Sequence, residues 1–132
     1  MQRKIILKKG KEYSIERFHP WIFSGAIQET EGDLTDGCWV EVLNFKKKVL
    51  GRGHYQKGSI TVRMLSFDAE LTSDFWVAKI KHALQLRRSS SVPSESTNAF
   101  RLIHGEGDGL PGLIVDYYNG IAVMQAHSVG MH

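Results

Sequence analysis

The sequence predicts a mainly β protein with an α+β second part, in which a small β pseudo-barrel precedes an incomplete domain of one helix and a β-meander. Two observations lead to this prediction. Before residue 70, apolar and polar residues alternate with a period of two in four runs separated by turn signals. After residue 70, a long run without Gly or Pro comes first and three further strand-like runs follow. We therefore divide the chain into residues 1–70 and 71–132.

The first part contains four predicted strands, at Arg3–Lys8, Trp39–Leu43, Lys48–Tyr55 and Ser59–Leu65. Glycine turns separate them, with signals at Lys9-Gly10, Glu31-Gly32-Asp33, Asp36-Gly37 and Lys57-Gly58. Short strands at this spacing are typical of small barrels, because each strand buries one face and turns back after a few residues.

The second part begins with a predicted helix over Leu71–Arg88, with Thr72 or Ser73 as its cap. It carries an approximate apolar stripe, which indicates packing on a neighbouring sheet: Phe75, Trp76, Ile80, Ala83, Leu84 and, one turn on, Arg87. A polar connector at 89–97 leads to three predicted strands, at Phe100–His104, Leu113–Tyr118 and Ile121–Gln125. Asn119-Gly120 is a strong signal for a two-residue hairpin turn. Because the strand pattern stops near His127 without a return strand, we interpret the chain as a truncation of a longer protein.

Composition excludes several classes of protein. The chain has 132 residues, of which 42% are hydrophobic, a balance typical of a globular protein. No apolar run approaches the roughly 18 residues of a membrane span, and the N-terminus lacks a secretory signal. The single cysteine, Cys38, permits no internal disulfide, and the six histidines do not cluster at metal-binding spacing. We expect a cytoplasmic protein without membrane or metal; the sequence does not set its oligomeric state.

The charges are arranged in blocks. Residues 1–28 carry six basic and two acidic side chains, 29–41 carry five carboxylates and no base, and 42–63 carry six basic side chains and no acid. A positive field confined to the first half favours a polyanionic partner, and we expect nucleic acid. The alternative is that a lysine-rich turn such as Lys46–Lys48 is simply solvated.

The glycine-rich segment Gly105–Gly112 is not a nucleotide-binding fingerprint. Leu110 stands where the third glycine is required, and Pro111 leads into a predicted strand instead of a helix. Glu106 and Asp108 could instead act as an acid/base pair or bind a hard cation, as in a small metal- or nucleotide-dependent enzyme. We favour a conformational role, in which glycines supply positive φ and the carboxylates accept backbone hydrogen bonds.

The aromatic segment Arg17–Ile27 is the most distinctive in the first part. Its rings could stack on unpaired bases while Arg17 and His19 contact phosphate or sugar. Core packing is the alternative that we favour for Phe18, Trp21 and Phe23, because a small barrel needs large apolar side chains. Arg52 and His54 are two apart on a predicted strand, so they could face one side and line a phosphate or base, or form an ordinary surface pair.

Three segments, Arg17–Ile27 (RFHPWIFSGAI), Gly51–Tyr55 (GRGHY) and Arg101–Asp116 (RLIHGEGDGLPGLIVD), resemble one known family in order and approximate spacing. That family is the bacterial 23S rRNA (cytosine-5) methyltransferases, which use S-adenosylmethionine. The resemblance covers essentially the whole chain.

The resemblance implies that residues 1–70 form a PUA-like RNA-binding domain. It implies that residues 71–132 form the N-terminal part of a central α/β domain, truncated before the methyltransferase domain. The family's cofactor loop and catalytic cysteine belong to that absent domain, so no residue here, Cys38 included, is predicted to be catalytic or cofactor-binding. S-adenosylmethionine is expected for the full-length parent.

We therefore predict the RNA-binding N-terminal region of an S-adenosylmethionine-dependent rRNA (cytosine-5) methyltransferase, with 23S rRNA as the partner and no catalysis by the fragment itself. The predicted RNA contacts are basic, histidine and aromatic side chains of the first part: Arg3, Lys4, Lys8, Lys9, Arg17, His19, Trp21, Lys46, Lys47, Lys48, Arg52 and His54. The alternative is a free-standing PUA-like adaptor that binds RNA or protein without catalysis.

Overall fold

A computed structural model describes residues 2–68 and 70–132. The chain divides into two compact units, one running up to Leu71 and including Ser128–Gly130 and His132, the other comprising Thr72–His127 and Met131. The first unit is a curled β-sheet and the second a helix with a β-meander. The predicted fold class is confirmed.

The first unit contains six strands and one short helix. They are β1 (Lys4–Leu7), α1 (Glu12–Glu16), β2 (Trp21–Phe23), β3 (Ile27–Glu31), β4 (Trp39–Leu43), β5 (Val49–Tyr55) and β6 (Ile60–Ser66), with a 3-10 turn at Ser24–Ala26. The strand order is β2-β6-β5-β4-β1-β3. Strand β1 runs parallel to β4, while the other neighbouring pairs are antiparallel. The core is formed by Ile5, Leu7, Ile15, Ile22, Val40, Val42, Val62 and Met64.

Strands β1, β4, β5 and β6 lie where the alternation predicts them, but α1, β2 and β3 were not predicted. Strand β3 has the sequence IQETE and exposes its three central residues, so it lacks the apolar alternation of a half-buried strand. It is an edge strand whose polar side chains face solvent. Strand β2 is only three residues long, too short to show a period.

The glycines of the Gly51–Tyr55 segment allow neighbouring strands to pack closely. A Cβ atom on Gly53 would lie 2.3 Å from the backbone oxygen of Arg63 on β6. Real Cβ atoms do not approach backbone that closely, so a side chain here would push β5 away from β6. Glycine at this position permits close approach of the two strands.

The second unit contains α2 (Phe75–Ser89), β7 (Ala99–His104), β8 (Leu113–Tyr118) and β9 (Ile121–Ala126). The strands form a sheet in the order β7-β8-β9, with both pairs antiparallel. Asn119 and Gly120 join β8 to β9 with φ angles of 42° and 97°, the two positive values of the predicted hairpin turn. A 3-10 turn lies at Gly105–Asp108 in this unit, and the chain ends with another at Val129–Met131, of which Val129 and Gly130 belong to the first unit.

Helix α2 packs on β7 through the C-terminal part of the predicted stripe, whereas Trp76 and Ile80 of that stripe are 38% and 41% exposed. Ala83 is buried, and Arg87 donates from Nε to the backbone oxygen of Arg101 on β7 at 3.0 Å. The helix begins three residues after Thr72, and Asp74 precedes it without a side-chain capping bond. Among the described residues, no helix has both the length and the apolar character to cross a membrane.

Candidate nucleic-acid interface

Five lysines lie at one end of the first unit, and two of them, Lys9 and Lys46, approach the ring of Phe45. Because β1 runs parallel to β4 with Ile6 opposite Leu43, the residues that follow the two strands lie side by side. Lys8 and Lys9 follow β1, while Lys46, Lys47 and Lys48 lie in the turn after β4. The Nζ atoms of Lys9 and Lys46 lie 5.7 and 5.6 Å from the centroid of Phe45. We call Lys8, Lys9 and Lys46–Lys48 the lysine cluster.

The turn that carries three of these lysines is held by Asn44. Its side-chain Oδ1 accepts hydrogen bonds from the backbone amides of Lys46 at 3.0 Å and Lys48 at 2.9 Å. The Asn44 amide in turn donates to the Lys48 oxygen at 2.9 Å. All five lysines are exposed. A fixed turn with exposed ammonium groups suits a phosphate backbone, since little backbone entropy remains to be lost on binding.

Two other predicted basic contacts on the sheet lie beside carboxylates, and a third binds the backbone of the acidic block. Lys4 is opposite Glu31 on β3 and Glu41 on β4, and Arg52 forms an ion pair with Glu41 at 3.1 Å. Arg3 donates from Nε to the backbone oxygen of Asp33 at 2.7 Å. The acidic block 29–41 therefore folds against these three cations. Within the lysine cluster and among the residues that the structure describes, Lys47 alone has a carboxylate partner, Glu31 at 3.5 Å.

His54 lies inside the first unit. It is 4% exposed, and its ring centroid is 4.6 Å from that of Trp39. Burial lowers the pKa of His54 from 6.5 to about 4, so the ring is neutral at physiological pH. A buried neutral imidazole adds no positive charge to a phosphate site, and the interface that we propose below leaves His54 out.

We expect the burial of His54 to make the first unit acid-sensitive. Between pH 6.5 and 4 the unfolded state binds a proton at His54 that the folded state does not. The free energy of unfolding should therefore fall as the pH is lowered through this window, by up to about 1.4 kcal/mol per pH unit. Urea unfolding at pH 7 and pH 5 would measure this, and His54→Phe should reduce the difference. Equal pH dependence in both proteins would contradict the assignment.

The aromatic segment does not pack as the sequence suggested. Phe18 and Phe23 are 70% and 49% exposed, so the prediction that they fill the core is wrong, while Trp21 is half-buried. For Phe23 the reason is the short strand β2, which directs Ile22 inward and leaves its neighbours on the outer face. Phe18 precedes that strand with a φ of 65°, and its ring meets the ring of Phe67 edge-on at 5.2 Å. Arg17 is exposed at the end of α1.

His19, Trp21 and Phe23 surround a cleft of about 370 Å³. Their ring centroids are 6.3 to 6.5 Å apart. Lys11, Ser14 and Ala26 also line this space, which we call the aromatic cleft. The predicted RNA contacts did not include Phe45, Lys11 or Phe23. Lys11 could have been predicted, because it lies in the same basic run as Lys8 and Lys9.

The Gly105–Gly112 loop has the conformational role favoured above. Gly105, Gly109 and Gly112 adopt positive φ. Asp108 accepts a hydrogen bond from the His104 amide at 2.6 Å and one from Arg87 Nη2 at 2.8 Å, and its second oxygen contacts Arg87 Nη1. Burial acts to raise the pKa of Asp108, but these hydrogen bonds and the Arg87 charge hold it below its usual range. Both carboxylate oxygens are engaged, which disfavours a cation or acid/base role for this residue.

A second ion pair of this unit lies at the surface. Arg101 on β7 binds Asp116 on β8 at 2.8 Å, and its hydrogen bond and charge lower the pKa of Asp116. Over the part of the chain that the structure describes, no group of three or more His, Cys, Asp or Glu side chains could hold a metal ion. Cys38 is half-buried against the core of the first unit.

Comparisons with known proteins agree with this architecture. Residues 5–67 match the family model of a PUA-like domain. Ribosomal RNA large subunit methyltransferase I of Alteromonas mediterranea is 39% identical over 98% of this chain, and its namesake in Yersinia pseudotuberculosis is 38% identical over the same share. In both cases the chain covers 33% of the relative, so it spans about a third of the length of these curated proteins.

Solved structures share the fold. One described as a SAM-dependent methyltransferase from Streptococcus mutans superposes with a TM-score of 0.78 at 17% identity, covering 99% of this chain and 34% of that chain. A methyltransferase complexed with SAH gives the same values. At this identity the likeness supports the fold alone.

Proposed function

Because the chain resembles the N-terminal portion of large-subunit ribosomal RNA methyltransferases and contains a PUA-like domain at residues 5–67, we propose that it is the RNA-binding region of such an enzyme. The observation that carries this proposal is the lysine cluster beside Phe45, a set of exposed cations on the PUA-like unit of which three lie on a turn held by Asn44. The partner that we propose is rRNA, and specifically 23S rRNA.

The cluster binds phosphate and positions the RNA. Ammonium groups contact phosphate oxygens as point charges, which sets the register of the RNA without reading its sequence. The carboxylates beside Lys4 and Arg52, and the contact of Arg3 with the acidic block, limit the favourable field on their part of the sheet. Backbone contacts are therefore concentrated at the end of the unit where β1 and β4 finish.

The parent enzyme would methylate cytosine at C5 with S-adenosylmethionine as the methyl donor. The described residues of this chain do not fit that cofactor: the glycine loop leads into strand β8 instead of a helix, and its Asp108 is engaged by Arg87. We therefore assign no catalytic step to these residues. Their contribution is to hold the flanking RNA, which helps offset the unstacking cost of exposing a base for reaction.

Salt-dependent RNA binding tests the proposal. If the interface neutralises about four phosphates, the logarithm of the association constant should fall with the logarithm of salt concentration at a slope near −3. Fluorescence anisotropy with a labelled rRNA stem-loop, from about 50 to 300 mM KCl, would measure it. A slope near zero, or retention of protein partners after nuclease treatment without RNA affinity, would instead support the adaptor alternative.

A further inference from the structure

The aromatic cleft has the chemistry of a site for one planar ring. Its volume of about 370 Å³ falls at the small end of ligand pockets, which run from about 300 to 1,000 Å³. Trp21 and Phe23 meet at an interplanar angle of 89°, so the two rings form adjoining walls and do not stack face to face. Phe23 is half-exposed, so part of the apolar wall is open to a ligand.

Polar groups lie beside these walls. His19 is anchored through Nδ1, which lies 3.1 Å from the Trp21 amide nitrogen and 3.2 Å from the Trp21 oxygen. The ring therefore engages Nδ1 within the protein, while the side chain as a whole is exposed at the cleft. Lys11 adds a cation, and Ser14 a hydroxyl, to the lining. Aromatic walls combined with hydrogen-bonding and cationic groups match a nucleobase attached to a phosphate chain.

One turn of backbone joins this cleft to the lysine cluster. The Lys8 amide donates to the oxygen of Ala26, a cleft residue, at 2.9 Å, and the Lys11 amide donates to the oxygen of Lys8 at 3.0 Å. Lys8 and Lys9 are members of the cluster, and Lys11, two residues after Lys9, lines the cleft. Because the cluster and the cleft are adjacent along this backbone, an RNA strand whose phosphates contact the cluster would also lie near the mouth of the cleft.

We propose that the aromatic cleft binds a single unpaired nucleotide of the RNA, with its base against Trp21 and Phe23. This inference rests on the proposed RNA-binding function and deepens it, because it makes a bulge or loop, and not a continuous duplex, the preferred substrate. Phosphate binding by the lysines is tolerant of RNA shape, whereas the cleft requires a base that is out of the helix.

Two RNA hairpins that differ by one bulged nucleotide test this. In the bulged hairpin that nucleotide is 2-aminopurine, whose fluorescence reports stacking. We expect the 132-residue chain to bind the bulged RNA more tightly and to change its fluorescence on binding.

Phe23→Ala should weaken binding of the bulged RNA by about 5- to 150-fold, the range for losing one base–aromatic stack. It should leave the affinity for the fully paired RNA and the salt slope unchanged. The control Tyr13→Ala removes a ring that is 60% exposed and does not line the cleft. It should change the affinity for neither hairpin.

The outcomes separate the two proposals. Salt-dependent binding with equal affinity for both hairpins and no fluorescence change would overturn the cleft assignment and leave the lysine cluster intact. Equal losses for Phe23→Ala and Tyr13→Ala would also overturn it. If neither RNA binds at low salt, both the proposed function and the cleft assignment fail.

Discussion

Charge reversal at the lysine cluster should weaken RNA binding by at least about 25-fold at 0.1 M salt. In the double variant Lys9→Glu/Lys46→Glu, two phosphate contacts are lost, and each contributes about 0.7 to the salt slope for a single strand. The slope should fall from about −3 to about −1.4, and the new carboxylates add repulsion. Anisotropy titrations over a range of KCl concentrations measure both quantities.

A matched variant controls for net charge. Lys57→Glu/Lys81→Glu makes the same change at two exposed lysines outside the cluster, and we expect its affinity to fall much less and its slope to stay near −3. If both double variants lose affinity equally, binding depends on overall charge and not on the cluster around Phe45.

Removing the carboxylate of Asp108 should destabilise the second unit by about 3 kcal/mol. The side chains of Asp108 and Arg87 are 4% and 20% exposed, so Asp108→Ala leaves a largely buried guanidinium and the His104 amide without their acceptor. Breaking one partner of a buried ion pair costs about 3–5 kcal/mol. Hydrogen exchange of amides in β7 and β8, measured on the wild type and the variant, would report the change for this unit separately.

The double variant Arg87→Met/Asp108→Leu distinguishes an unpaired charge from a general packing defect. It should recover part of the loss, because no charge is left buried. In the wild type, the contribution of Asp108 is present above the ordinary carboxyl pKa and is lost as the pH falls through the lowered folded-state value. A loss in Asp108→Ala below about 1 kcal/mol would mean that the ion pair does not hold the glycine loop to α2.

Sequence patterns predicted those elements that a short run of residues specifies by itself. The alternation at Trp39–Leu43 and the Asn119-Gly120 hairpin appear in the structure at the predicted residues. Strand β3 escaped prediction because an edge strand with polar side chains has no apolar period. The two β units and their order follow from such patterns; the sheet order does not, because it depends on the parallel contact between β1 and β4.

Strand pairing also explains which parts of the interface could be predicted from the sequence and which could not. Charge blocks indicated a basic first half, but only strand register shows that Lys4 lies opposite Glu31 and that Lys9 approaches Phe45. The sequence placed Arg52 and His54 on one strand, yet their burial differs, since His54 lies against Trp39 and Arg52 reaches Glu41. Phe23 was expected in the core because aromatic size alone does not reveal which face of a three-residue strand it occupies.

Mapping RNA contacts by NMR tests the central claim most directly. The 14.9 kDa chain, labelled with ¹⁵N, would be titrated with the rRNA stem-loop at about 50 mM salt. We predict salt-sensitive shifts in the amides of Lys8, Lys9 and Phe45–Lys48, extending to Lys11 and Phe23, and none along the acidic strand β3. Shifts confined to β3 or to the second unit, or no shifts at all, would contradict the assignment of the lysine cluster as the RNA-binding surface.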